Sequence, residues 1–160
     1  MKILAIDPGF DRCGVAILNK DRTGETLLFS TCISTQIKAD YTQRLLTVGQ
    51  EVEKLINEWQ PDLIALEKLF FSNNQKTATK VSEVRGMLIY LTAKHGKELV
   101  EYTPLQIKQT VAGFGQANKK QVTEMVKRLI KLETKPRHDD EFDAIAIGLT
   151  ASAHFIHNSR

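Results

Sequence analysis

Apolar residues along the chain fall into runs with two different periods. Residues 2–7, Lys-Ile-Leu-Ala-Ile-Asp, form a short apolar run closed by Asp-Pro-Gly, the pattern of a strand entering a turn. Residues 13–18 make a second run, and the short link through Gly9 and Gly14 predicts an antiparallel pair. A third strand is expected over 26–34. The period then changes. Over 41–59, Leu45, Leu46, Val48, Val52, Leu55 and Ile56 recur at helical spacing with charges between them. Asp-Leu-Ile-Ala-Leu at 62–66 reads as a short buried strand with Glu67 at its end. A polar stretch over 70–76 leads into a helix over about 77–95, and 98–103 is a fifth strand stopped by Pro104. Short helices follow near 105–112 and 119–132, separated by Gly113-Phe114-Gly115, before a largely apolar helix over 140–156. Three consecutive strands, then strands alternating with helices, predict an α/β fold: a mixed five-stranded sheet flanked by helices.

The 160 residues have the length of one domain, spanning 1–160, and 42% hydrophobic with 26% charged residues argues against disorder. Two cysteines, Cys13 and Cys32, are too few for a disulfide framework. No apolar run approaches the 18 or so residues of a membrane span, and Asp7 interrupts any leader-like stretch at the start. A cytoplasmic protein with no membrane partner is the expectation. The net charge of +3 says little, but its distribution says more. Between Tyr102 and Arg137 eight bases stand against two acids, and the next six residues, His138 to Asp143, carry four acids and no base. A basic field beside an acidic knot suggests a polyanion held by the first and a cation held by the second. A solvated helix face followed by an acidic helix start explains either segment taken alone.

Two further carboxylates, Asp7 and Glu67, lie where strands end, and sites in α/β sheets gather outside the carboxyl ends of strands. Asp140 and Asp143, three apart at a helix start, project from one face. Four such acids converging would repel one another and push pKa values up. Hard divalent cations remove that repulsion, and oxygen ligands alone select Mg²⁺ or Mn²⁺ over Zn²⁺. Each acid also has a plain structural use: Asp7 as a turn residue, Asp140 as a helix cap. Glu67 is harder to explain so, because it follows Leu-Ile-Ala-Leu, where an unpaired charge is costly.

The run of matching stretches Ile6-Asp7-Pro8-Gly9, Ala65-Leu66-Glu67, Phe70, Asn74, Thr77-Ala78, Arg85-Gly86, Tyr102-Thr103-Pro104, Lys108, Gly113-Phe114-Gly115, Lys119, Gln121-Val122 and Asp143-Ala144-Ile145-Ala146-Ile147 resembles the RuvC family of Holliday junction resolvases over essentially the whole chain. The resemblance implies a ribonuclease H-like fold, homodimeric in that family, that nicks four-way junction DNA symmetrically. It puts the family's catalytic, metal-binding carboxylates on Asp7, Glu67, Asp140 and Asp143, with two Mg²⁺ per subunit, Mn²⁺ able to substitute, and Asp7 as the bridging ligand. It puts the important basic positions on Lys108 and Lys119 and the junction-facing aromatic on Phe70, with Phe71 in the core. Lys76, Lys80, Arg85 and Lys120 are expected to contact the DNA backbone, and the RuvA–RuvB branch-migration complex is the implied partner. The chain departs from the family in having Glu141-Phe142 between the last two acids, where small residues are usual. His138, Asp139 and Glu141 are therefore alternative neighbours for the metal shell beside Asp140. The dimer surface is expected on the helix over 77–95, through Ala78, Val81, Val84, Met87, Leu88 and Leu91.

Two other readings start from the same residues. An actin-like ATPase also opens with a strand, Asp-x-Gly and a hairpin, but holds phosphate with Thr or Ser where this chain has Phe10-Asp11-Arg12-Cys13. A non-catalytic DNA-binding module on the same fold has no need of four acids.

Overall fold

The structure is a computed structural model that describes residues 1–68 and 75–158, the side chains of 75–77 and 156–158 excepted. Three strands follow one another as an antiparallel meander: β1 (Lys2–Asp7), β2 (Arg12–Asp21) and β3 (Gly24–Ser34). Helix α1 (Tyr41–Trp59) then crosses to β4 (Leu63–Glu67), which pairs parallel with β1. Helix α2 (Gln75–Lys94) crosses to β5 (Glu98–Tyr102), parallel to β4. Helices α3 (Pro104–Ala112) and α4 (Lys119–Leu129), a short β6 (Lys131–Leu132) and α5 (Asp139–Asn158) complete the chain. The strand order is β5-β4-β1-β2-β3-β6.

The sheet has six strands where the sequence predicted five. The helix expected over 119–132 stops at Leu129, because Ile130 turns to extended backbone and buries its side chain. Lys131 and Leu132 then pair parallel with Thr26 and Leu27 at the sheet edge. An apolar run such as Leu129-Ile130-Lys131-Leu132 fits a helix or a strand equally well from its pattern.

Side chains of a strand alternate between faces, and the two faces have separate cores. Ile3, Ala5, Ala16, Leu18, Leu63 and Ala65 pack under α3, α4 and α5. Leu4, Ile6, Val15, Ile17, Ile64 and Leu66 pack under α1 and α2. Each Leu or Ile buried in this way contributes about 1.5–3 kcal/mol. The alternation decides where the chemistry goes. Asp7 continues the series 3, 5, 7 and Glu67 the series 63, 65, 67, so both carboxylates emerge on the α5 face.

Helix α5 lies close against that face because each close contact has a glycine on one side, Gly14 of β2 under Asp140 and Gly148 of the helix over Leu18. Gly14, Ala16 and Leu18 follow each other along β2. A Cβ on Gly14 would lie 2.0 Å from the Asp140 carbonyl oxygen, and one on Gly148 would lie 2.8 Å from Leu18. The dimer surface expected on α2 is only partly open: Val84, Leu88 and Leu91 face inward into the second core, while Ala78, Val81 and Met87 are half-buried. The apolar residues that α1 and α2 do expose are Leu46, Ile89 and Tyr90. No helix among the described residues is long and apolar enough to cross a membrane.

Candidate active site

The register of the sheet brings the acids together. Ile6 pairs with Leu66 across β1 and β4, which sets Asp7 beside Glu67 one step further on. Asp7 itself pairs with Gly14, and Gly14 with Cys32, so the first turn of α5 settles over the open position next to Asp7. A cleft of about 260 Å³ results. Asp7, Glu67 and Asp143 enter it together with Lys108 and Lys119, and Pro104, Ile107, Val122 and Ile147 form an apolar wall.

Two capping boxes aim the cations. Thr103 accepts from the Gln106 N–H at 3.2 Å while Gln106 Oε1 accepts from the Thr103 N–H at 2.8 Å, starting α3 directly after β5. Asn118 and Gln121 repeat the arrangement at α4. Lys108 thus sits one turn into α3, and Lys119 occupies the first position of α4. A cation at a helix N-terminus is disfavoured by the exposed N–H groups, so Lys119 needs anions nearby. It has them: its Nζ donates to Asp143 Oδ2 at 2.8 Å and lies 3.9 Å from Asp139 Oδ2.

Burial, with Glu67, Asp143 and Asp140 close by, pushes the Asp7 carboxyl up to about 7, and Lys119 only partly opposes this. Burial and Asp143 likewise raise Glu67 above the usual carboxylate range, with Lys108 pulling the other way. Lys119 is raised in turn, chiefly by its hydrogen bond to Asp143. The cleft therefore holds more negative charge than its own cations neutralise.

Asp140 stands at the margin. It is ion-paired with Arg12, lies 3.6 Å from Cys32 Sγ, and does not line the cleft. Its neighbours divide clearly. Glu141 is buried: its Oε1 accepts from the Arg137 and His138 backbone N–H groups, each at 3.0 Å, and its Oε2 accepts from Ser30 Oγ. It anchors the start of α5 to β3 and has no oxygen to offer the cleft. Asp139 and His138 are exposed.

The remaining basic positions separate. Arg85 is ion-paired with Glu101 on β5, a bond within the fold. Lys120 is exposed beside Lys119, and Lys80 is exposed on α2 and lines a different pocket. Phe70, Phe71 and the side chain of Lys76 lie outside the described residues. Tyr102, from the matching stretch Tyr102-Thr103-Pro104, is buried and packs in the first core. Arg12 and Gly14 were not expected as site-builders, because nothing local in the sequence marks an ion pair to a residue 128 positions away, and Glu141, expected beside the metal shell, anchors the helix instead.

A family model described as "Crossover junction endodeoxyribonuclease RuvC" matches residues 3–151. The chain belongs to the RuvC family. The RuvC of Finegoldia magna is 45% identical over 149 residues, covering 93% of this chain and 91% of that protein. The RuvC of Alkaliphilus metalliredigens is 43% identical over 157 residues, covering 97% and 96%. Among solved structures, Thermus thermophilus RuvC matches with a TM-score of 0.89 at 27% identity, covering 99% of this chain and 97% of that one. The same protein in complex with a Holliday junction substrate matches at 0.91 and 28%, with the same coverage. The architecture is thus ribonuclease H-like, and RuvC proteins are metal-dependent nucleases.

Among the described residues no group of three or more His, Cys, Asp or Glu side chains is arranged to hold a metal ion as it stands. The donor set nevertheless fits one. It is made of carboxylate oxygens alone, its charge is uncompensated at Asp7 and Glu67, and two of its members are held by cations of the protein itself, Asp143 by Lys119 and Asp140 by Arg12.

Proposed function

We propose that the chain, as one ribonuclease H-like domain, is an endonuclease that resolves four-way (Holliday) DNA junctions by hydrolysing phosphodiester bonds, one nick per active site. The observation that carries this is the electron-rich, partly desolvated cleft of Asp7, Glu67 and Asp143 with Lys108 and Lys119 on its rim, in a chain of the RuvC family. A non-catalytic DNA-binding module would gain nothing from a buried carboxyl pushed to about 7.

Asp7, Glu67 and Asp143 would hold divalent cations, joined by Asp140 once it leaves Arg12, and Asp7 would be the shared ligand. Bound Mg²⁺, two ions per subunit with Mn²⁺ able to substitute, would supply an acidified water and stabilise charge developing on the phosphate. The protein's own groups do the rest. Asp7, whose carboxyl its neighbours push up to about 7, would hold such a cation as the carboxylate. Lys108 and Lys119 face the place where a phosphate must sit, and preorganised cations there favour the transition state over the ground state. The wall of Pro104, Ile107, Val122 and Ile147 keeps water off one side, which strengthens each of these fields. Lys120 and Lys76 would contact the backbone without reading sequence, and Phe70 would stack on an unpaired base at the crossover.

A four-way junction has two-fold symmetry, so a homodimer with an isologous interface would present two clefts to strands of like polarity. The RuvA–RuvB complex is the proposed partner, and the cytoplasm the proposed location. The test is nicking of a synthetic four-way junction with Mg²⁺ added or withheld, by wild type and by Asp7→Asn. Paired symmetric nicks are expected from wild type with Mg²⁺ alone. Binding without nicking by wild type would refute the enzymatic reading, and nicking by Asp7→Asn at near wild-type rate would refute the site.

A further inference from the structure

A second pocket, of about 360 Å³, opens on the other side of the turn that joins β1 to β2. Phe10, Arg12, Arg44 and Lys80 line it, with Asp11 at its lip. Arg44 is a buried arginine with 7% of its surface exposed, and it is held on three sides. Its guanidinium lies 3.9 Å from the Phe10 ring centroid, its Nε donates to Thr35 Oγ1 at 2.8 Å, and it pairs with Asp11. Lys80 Nζ lies over the same ring at 4.8 Å and over Tyr41 at 6.0 Å. Two cations therefore converge on one aromatic ring, although like charges repel.

The charges around this pocket do not balance. Arg44 is matched by Asp11 and Arg12 by Asp140, while Lys80 has no carboxylate partner among the described residues. Glu83, one turn further along α2, accepts from the Tyr41 hydroxyl instead. With Asp140 on Arg12, as in the DNA-free structure, one positive charge is left over, held in a concave site beside a buried arginine. That is the complement of a single monoanion with several acceptor oxygens.

The position says which anion. Asp7 faces the cleft and Phe10 the pocket, and three residues of chain span at most about 10 Å. Phosphates recur about every 3.4 Å of helix axis along one strand, so a strand leaving the cleft across this turn passes the pocket within on the order of three phosphates. We propose that the pocket of Phe10, Arg12, Arg44 and Lys80 seats a backbone phosphodiester of the bound DNA, displaced from the scissile one, and so fixes the register of the strand in the cleft. This rests on the reading of the chain as a junction-binding protein. The turn is held from both sides: Arg44 and Thr35 grip the pocket side, and β1 holds the Asp7 side. A phosphate seated here is therefore held in rigid relation to Asp7.

The test uses the full-length Asp7→Asn protein, so that junctions are bound and not cut. Affinity is measured against salt for this parent and for the same protein carrying Lys80→Gln, Lys80→Arg or the control Lys54→Gln. The junctions carry single neutral methylphosphonates scanned along each strand. Lys80→Gln is expected to weaken binding roughly three- to tenfold and to lower the salt slope by about one. Lys80→Arg should restore both, and Lys54→Gln should change neither. At one methylphosphonate position the loss seen with the parent should vanish in Lys80→Gln, because the same contact is already gone. Lys80 is exposed, so thermal unfolding of Lys80→Gln should match the parent. An unchanged salt slope in Lys80→Gln, or methylphosphonate losses that add in full at every position, would overturn the pocket while leaving junction binding intact. Failure of the parent to bind junctions would overturn the functional reading, and the pocket with it.

Discussion

Asp7→Asn should make the metal-free protein more stable at alkaline pH while removing its activity. The carboxyl is moved from its ordinary 3.8 to about 7, so between those values the folded protein keeps a proton that the unfolded chain has released. The folded state therefore loses stability as pH rises across that window, and the loss is complete above about pH 7. At 1.36 kcal/mol per pKa unit it amounts to roughly 4 kcal/mol. Asparagine carries no such cost, although it leaves an amide in a partly buried place, which returns about 1–3 kcal/mol. A net gain of about 1–3 kcal/mol remains at pH 8, and a chain of this size converts each kcal/mol into about 2–4 °C. Thermal unfolding in chelator at pH 8 and pH 5 measures it. The variant's advantage should shrink by about 2–3 kcal/mol at pH 5, where folded wild type keeps Asp7 protonated. Mg²⁺ should then raise the wild-type Tm at pH 8 much more than that of the variant. An Asp7→Asn protein less stable than wild type at pH 8, with the same pH dependence, would show that Asp7 is not under electrostatic strain.

Two further substitutions test the cleft from its rim and its foundation. Lys119→Ala should lower junction nicking on the order of 10²-fold by removing a preorganised cation. It should also raise the Mg²⁺ affinity of the DNA-free protein, since Asp143 loses the partner 2.8 Å away; calorimetric titration of Mg²⁺ reads this directly. Glu141→Ala leaves two backbone N–H groups and the Ser30 hydroxyl without their acceptor and should cost about 3 kcal/mol of stability in a thermal melt. Glu141→Gln, which keeps the shape and one acceptor oxygen, should recover part of that loss, and with it the nicking rate.

Much of the site was legible in the sequence because strand parity is. Ile3-Leu4-Ala5-Ile6-Asp7 and Leu63-Ile64-Ala65-Leu66-Glu67 have the same alternation and both end on an acid, so adjacency of the two strands is enough to unite Asp7 and Glu67. The capping boxes at Thr103 and Asn118 are equally local and place Lys108 and Lys119, although the expectation for both lysines came from the family resemblance alone. What stayed hidden depends on partners distant along the chain. Four neighbouring acids at 139, 140, 141 and 143 look alike until Ser30 claims one, Arg12 another and Lys119 a third. The stripe of α2 is apolar whether it meets a second molecule or its own sheet, and Val84, Leu88 and Leu91 meet the sheet. Two residues were enough to make β6, below the length at which periodicity has meaning.

Gly14 bears no functional group, yet it pairs with Asp7 on one side and lies under the Asp140 backbone on the other. A single methyl there would press on the Asp140 carbonyl oxygen from 2.0 Å, and backbone cannot step aside as a side-chain tip can. The helix would have to lift, carrying Asp143 away from Asp7 and Glu67. In a library of single substitutions scored for junction cleavage, position 14 should therefore look like a fifth acid, intolerant even of alanine. Scored for folding alone, it should separate from the four. Selection at this position acts on empty space, so chemical intuition about side chains will always overlook it.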